Sequence, residues 1–70
     1  MEVLKINGVE RRFAAGQLPS TVAELLELLG VKAATVVAEV DGQIVESKKF
    51  AQTQLCSGQT IELIRFVAGG

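Results

Sequence analysis

A small α+β fold, with one helix laid across one face of a mixed sheet, is what this sequence predicts, and three features predict it. Alternating strand-like residues flank the pair Asn7-Gly8. A leucine stripe at helical spacing follows a capping sequence over residues 21–29. A last alternating run, residues 61–67, leads into Ala68-Gly69-Gly70. One amphipathic helix cannot shield both faces of a sheet, so the helix is expected on one face only.

Residues 3–6 read as a strand with Leu4 and Ile6 on one face. Asn-Gly is the favoured pair for a two-residue type I′ turn. Beyond it Val9, Arg11 and Phe13 alternate with Glu10 and Arg12, so the chain opens as a β-hairpin. Residues 14–20 are a connection, and Pro19 disfavours helix in the residue before it, which puts the helix start after it. Thr21-Val22-Ala23-Glu24 fits a capping box, in which the Thr21 hydroxyl accepts from the amide of residue 24 and the Glu24 carboxylate from the amide of residue 21. Val22, Leu25, Leu26 and Leu29 fall at i, i+3, i+4 and i+7 and form one apolar stripe. Leu28 borders it, Glu24 and Glu27 face away, and Gly30 suits a left-handed helix stop.

Residues 36–40 read as a third strand, Asp41-Gly42 as a turn and residues 43–45 as a short fourth strand. Residues 46–50 are polar up to Phe50, which is expected to plug the edge of the core. Lys48-Lys49 reads as solvated surface. Residues 51–55 carry no readable pattern, and residues 56–59 look like the turn before the last strand. The order strand, strand, helix, strand, short strand, strand fits a β-grasp roll of four to five strands, in which the first and last strands pair in parallel at the centre. The expected core is Leu4, Ile6, Phe13, Leu25, Leu26, Leu29, Ile61 and Leu63, with Val36 and Ala38 also facing the helix. Alternation then puts Ile64 and Phe66 on the opposite face of the last strand.

Composition narrows the functions. Seventy residues suit one domain, 1–70, and a chain of this size buries only about 60% of its unfolded surface. Hydrophobic residues make up 49%, which argues for a packed globule over disorder. The net charge is −1 without a basic block, so neither nucleic acid nor an anionic membrane is an expected partner. Apolar runs are too short to span a bilayer and Met1-Glu2-Val3-Leu4-Lys5 is no signal peptide, so the cytoplasm is the expected compartment. The single cysteine, Cys56, can form no internal disulfide and is expected as a small, partly buried turn residue. There is no histidine, which excludes Ser-His and Cys-His nucleophiles and leaves no soft-ligand metal site to expect. The eight acidic residues are scattered. No cofactor bound by this chain is expected, and the chain is not expected to be an enzyme.

What remains is the tail. Nothing follows Gly70 in the sequence, so residues 68–70 are expected to project as a flexible, thin tip, because glycine lacks Cβ. A carboxylate on such a tip can enter a narrow active site. Joined to AMP by a partner enzyme, it becomes an acyl phosphate anhydride open to attack by a thiolate or persulfide.

Residues 21–26, then 36–42 with Ile44-Val45, then 61–70 resemble the ubiquitin-like sulfur-carrier proteins, and the ending Arg65-Phe66-Val67-Ala68-Gly69-Gly70 is most similar to the ThiS-like type of thiamine biosynthesis. The resemblance implies that the Gly70 carboxylate is adenylated by an E1-like enzyme using ATP and Mg²⁺. The carboxylate then becomes a thiocarboxylate, with sulfur drawn through a donor such as a cysteine desulfurase. It also implies thiazole synthase as the recipient, and tail access through Gly69 and Ala68. Ile64 and Phe66, beside the tail, are the expected partner-docking residues, with Arg65 adding a charged contact. The other readings are the small subunit of molybdopterin synthase, a ubiquitin-like modifier joined to lysines through Gly70, and a β-grasp binding module with an inert tail. The first of these is usually longer than this chain.

Overall fold

The computed structural model describes residues 1–66. Five strands form one mixed sheet: β1 (Glu2–Ile6), β2 (Val9–Phe13), β3 (Val36–Val40), β4 (Gln43–Val45) and β5 (Thr60–Arg65). They lie in the order β2-β1-β5-β3-β4, with β1 and β5 parallel and the other neighbours antiparallel. Helix α1 (Val22–Leu29) packs on one face. This is the expected β-grasp, with the last strand at the centre of the sheet. The strand expected over residues 61–67 runs Thr60–Arg65, and Val67 lies outside the described residues. So do Ala68, Gly69 and Gly70, on which the expected flexible tail falls.

Both hairpins turn where Asn-Gly and Asp-Gly stand. Asn7 and Gly8 have φ of 50° and 81°, Asp41 and Gly42 48° and 86°, the doubly positive pattern of a type I′ turn. The register then decides which face each residue meets. Ile6 lies between Val9 and Ile61, Ala38 pairs with Leu63, and Val40 with Ile61, all on the helix side. Leu4, Ile6, Val22, Leu25, Leu26, Val36, Ala38 and Ile61 are buried there. Phe13, Leu29 and Leu63, expected in the core, are only half-buried and pack against its margin. Phe13 and Leu63 lie toward the ends of their strands and Leu29 is the last residue of α1, where helix and sheet cover each other less.

The helix begins as predicted on one side of its cap and differently on the other. The Glu24 amide donates to the Thr21 hydroxyl at 3.2 Å. The Glu24 carboxylate accepts from Ser20, at 3.1 Å, and not from Thr21. The reason is a small antiparallel bridge between Thr21 and Gln54, in which Val22 donates to the Thr53 carbonyl and Leu55 to the Ser20 carbonyl. The bridge fixes the approach to the helix, and the amide within reach of its first turn is one residue earlier. Gly30, at φ 73°, ends the helix, with its amide and that of Val31 donating back to Glu27 and Leu26.

Two expectations about the long connection need correction. Phe50 does not plug an edge. It is 1% exposed, on a 3₁₀ helix (Ser47–Gln52) packed against α1, and it is the largest fully buried side chain among the described residues. Leu55, unassigned in the sequence reading, is buried beside it in the same core. Cys56, expected to be partly buried, is exposed. Leu55 takes the inward position, and the following turn holds to β1 through Ser57 Oγ, which accepts from the Val3 amide at 2.9 Å, and Gly58, whose amide donates to the Val3 carbonyl at 2.7 Å. Neither contact draws the Cys56 side chain inward.

Candidate functional site

The end of β5 leads toward the tail, and its residues divide cleanly between the two faces. Ile64 pairs with Val37 and lies on the face that no helix covers, whereas Arg65 pairs with Val36 and lies on the helix side. Ile64 is 49% and Phe66 44% exposed. Phe66 is past the strand, yet its amide donates to the Thr35 carbonyl at 3.0 Å, so its backbone is fixed against the short 3₁₀ helix Ala33–Thr35. The structure therefore places Ile64 and Phe66, both exposed, at the same end of β5, with Arg65 on the helix side of the strand. Ala68, Gly69 and Gly70 lie outside the described residues.

The open face holds apolar residues that the sequence reading did not single out. Ile44 on β4 is 60% exposed. It pairs with Glu39, which in turn pairs with Glu62. Val37 sits beside Ile64 and is half-buried. The result is an apolar surface from Val37, Ile44 and Ile64 with carboxylates at Glu39 and Glu62 beside it. The signal was present in Gln43-Ile44-Val45: with Val45 turned to the core, alternation sends Ile44 outward. What the sequence could not supply was the register, which sets Ile44 in one row with Glu39 and Glu62 and Ile64 in the next row with Val37.

β5 itself is held from both flanks. The Asn7 amide donates to the Ile61 carbonyl at 2.9 Å, and Asn7 Oδ1 accepts from the Leu63 amide at 2.7 Å. Across the sheet the Asp41 amide donates to the Thr60 carbonyl at 2.8 Å, and Asp41 Oδ1 accepts from the Thr60 amide at 2.9 Å. The strand that carries the tail is thus clasped by the first residue of each I′ turn.

Nothing in this geometry forms a catalytic constellation. Among the described residues there is no group of three or more His, Cys, Asp or Glu side chains placed to hold a metal ion. No charged or polar residue among them is buried, and no helix is long and apolar enough to cross a membrane. Among the described residues the arrangement offers a strand clasped from both flanks and a sheet face with exposed apolar residues.

Comparison with known proteins agrees. Residues 4–70 match the model of the ThiS family. The chain is 39% identical over 67 residues to a thiazole synthase of Paramagnetospirillum magneticum, covering 96% of this chain and 20% of that protein. It thus spans about a fifth of the length of that curated relative. Among solved structures, the crystal structure of thiamine biosynthesis protein ThiS from Geobacter metallireducens superposes with a TM-score of 0.78 at 32% identity, covering 97% of this chain and 99% of that one. The solution structure of a thiamine biosynthesis protein from the same organism gives a TM-score of 0.72 at 32% identity, covering 100% of this chain and 88% of the other. A helix-on-sheet β-grasp that presents the end of its central strand, and a sequence match that extends through both terminal glycines, lead to one conclusion: the chain belongs to the ThiS family.

Proposed function

We propose that this chain carries sulfur on the carboxylate of Gly70, with residues 1–70 acting as one domain in the cytoplasm and residues 68–70 as its tail. An E1-like partner holding ATP and Mg²⁺ brings the carboxylate to the α-phosphorus. A carboxylate oxygen bonds to that phosphorus, pyrophosphate leaves, and an acyl adenylate results. A persulfide from a sulfur donor such as a cysteine desulfurase then attacks the carbonyl carbon, and AMP leaves. A thiol that reduces the S–S bond frees the thiocarboxylate, which gives its sulfur to thiazole synthase for the thiazole ring of thiamine. In all of this the chain is a co-substrate, and Gly69 and Ala68 keep the approach to the partner's site narrow.

The observation that carries this reading is the family match, which runs through Gly70. The likeness to one fifth of a thiazole synthase supports the choice of recipient. The exposed face of Ile64, Phe66, Val37 and Ile44 supports docking beside the tail, with Arg65 reaching a partner from the other side of the strand. Removal of Gly70 is the test. Mixed with the adenylating enzyme and ATP, the shortened chain is expected to release no pyrophosphate while its melting curve matches the parent's. Pyrophosphate release at the parent's rate would overturn the reading.

A further inference from the structure

On the helix side, away from the Ile64 face, a groove of about 510 Å³ runs beneath the end of α1. Its apolar wall is Ile6, Leu29, Val36 and Leu63, and its charged wall is Arg11 and Arg65, with no carboxylate among the described lining residues. The groove is therefore cationic in a chain whose net charge is −1. Among the described residues neither arginine is paired with a carboxylate, since the ion pair there is Arg12 with Glu10, at 3.2 Å. The volume lies within the range of ligand sites, about 300–1,000 Å³, and suits a few apolar side chains.

The groove opens onto a free sheet edge. Val9 and Arg11, which line it, belong to β2, the outermost strand on that side. Ile6 and Val9 flank a two-residue turn and so exchange hydrogen bonds with each other. By alternation the backbone groups of Glu10 and Arg12 point away from β1, toward an edge that no other described strand occupies. An extended chain laid there gains backbone hydrogen bonds, and every second side chain falls on the helix side.

We propose that this groove and the β2 edge together form a second docking site, which takes an extended acidic segment of a partner protein as a further strand. An aliphatic residue of that segment enters the groove, and carboxylates on either side of it meet Arg11 and Arg65. Charge complementarity selects this occupant. A second copy of this chain, paired antiparallel about Arg11, would set its own Arg11 against this one on the groove side and bring no carboxylate to it, and like charges directly opposite across a strand pair are destabilising. Arg65 is shared with the proposed docking beside the tail, so the test is read at Arg11, which that docking does not use, and the two readings fail independently.

The probe is a fluorescent peptide with an Ile-Val-Ile-Val centre and aspartates at both ends, titrated into the full chain and followed by amide shifts. Saturable binding is expected, with shifts centred on residues 9–13 and on Leu29 and Val31. Arg11→Glu is expected to weaken it at least about tenfold, with melting and pyrophosphate release unchanged because Arg11 is exposed and takes no part in the tail's chemistry. A peptide with lysines in place of the aspartates is expected not to bind. Absence of saturable binding would overturn the proposal. So would shifts confined to the Ile64 face, equal binding of the lysine peptide, indifference to Arg11→Glu, or pairing of two copies along β2 in place of peptide binding.

Discussion

Asn7 Oδ1 accepts the Leu63 amide at 2.7 Å, just where β1 has ended and can no longer pair with β5. The turn that closes the first hairpin thereby extends the parallel pairing with a side chain. Asn7 meets two demands at once: a left-handed backbone, at φ 50°, and an acceptor. Glycine would meet only the first. Asn7→Gly is therefore expected to keep the turn, lose about 0.5–1.5 kcal/mol of stability and speed hydrogen exchange at the Leu63 amide. Asn7→Asp, which keeps an acceptor and tolerates the same backbone region, is expected to protect that amide nearly as well. Unchanged exchange at Leu63 in Asn7→Gly would show that the clasp contributes nothing.

The core gives a second comparison. Leu26 is 2% and Phe50 1% exposed, one on the predicted helix and the other on a connection that carries no obvious pattern. Burial at both sites means that each truncation leaves a cavity. Leu26→Ala is expected to cost about 2–5 kcal/mol and Phe50→Ala about 3–5 kcal/mol, a large part of what stabilises a small domain. Chemical denaturation of both variants checks this. A loss below about 0.5 kcal/mol at Phe50, the size typical of a surface change, would return it to the role of an edge plug.

The contrast between these residues also marks what was legible in the sequence. Leu26 was readable because a helix repeats its apolar face every three or four residues, and Ile61 because a strand repeats every two. Phe50 stands alone among polar neighbours, and a single-sided 3₁₀ helix offers no period to detect. Leu55 was hidden for the same reason: its inward position is fixed by the bridge of Thr21 to Gln54, a contact distant in sequence. Exposure of Cys56 follows from Ser57 and Gly58 reaching β1, again a distant contact. At the candidate site, alternation correctly divided Ile64 from Arg65, while the grouping of Ile64 with Ile44 and Val37 depended on sheet order and register. The groove walled by Arg11 and Arg65 depended on them as well.

Helix capping is testable at Thr21, whose hydroxyl receives the Glu24 amide. Thr21→Ala is expected to cost about 1 kcal/mol, while Thr21→Ser, which keeps the acceptor, costs much less. Thermal melting of the pair decides it. Equal melting of the alanine and serine variants would mean that the bridge to Gln54 fixes the helix start without the cap.

The tail gives a prediction in which folding and reactivity separate. Gly69→Val puts a β-branched side chain beside the proposed site of activation, which restricts the backbone and widens the tip. The variant is expected to melt like the parent and to release pyrophosphate more slowly with the adenylating enzyme. Parent-like release would mean that the partner's channel does not require a thin chain at this position.

Phe66 tests how partners find the tail. Its backbone is tied to Thr35 by a 3.0 Å hydrogen bond that any non-proline residue can make, while its side chain is 44% exposed. A charged residue there should leave the core intact, because Phe66 is neither part of the buried core nor among the residues packed against it, and the backbone tie is kept. An aromatic anchor seated in a partner's pocket commonly contributes about 2 kcal/mol or more to binding. Phe66→Glu is accordingly expected to weaken association with the adenylating enzyme at least about tenfold, or about 1.4 kcal/mol, with little change in melting temperature. Ile44→Glu, on the same face but farther from the tail, separates a local anchor from a broad docking surface: comparable weakening means the whole face docks, and a small effect confines docking to the end of β5. If Phe66→Glu melts much earlier than the parent, or binds the enzyme as tightly, the ring serves to close the sheet edge and the partner approaches from another side.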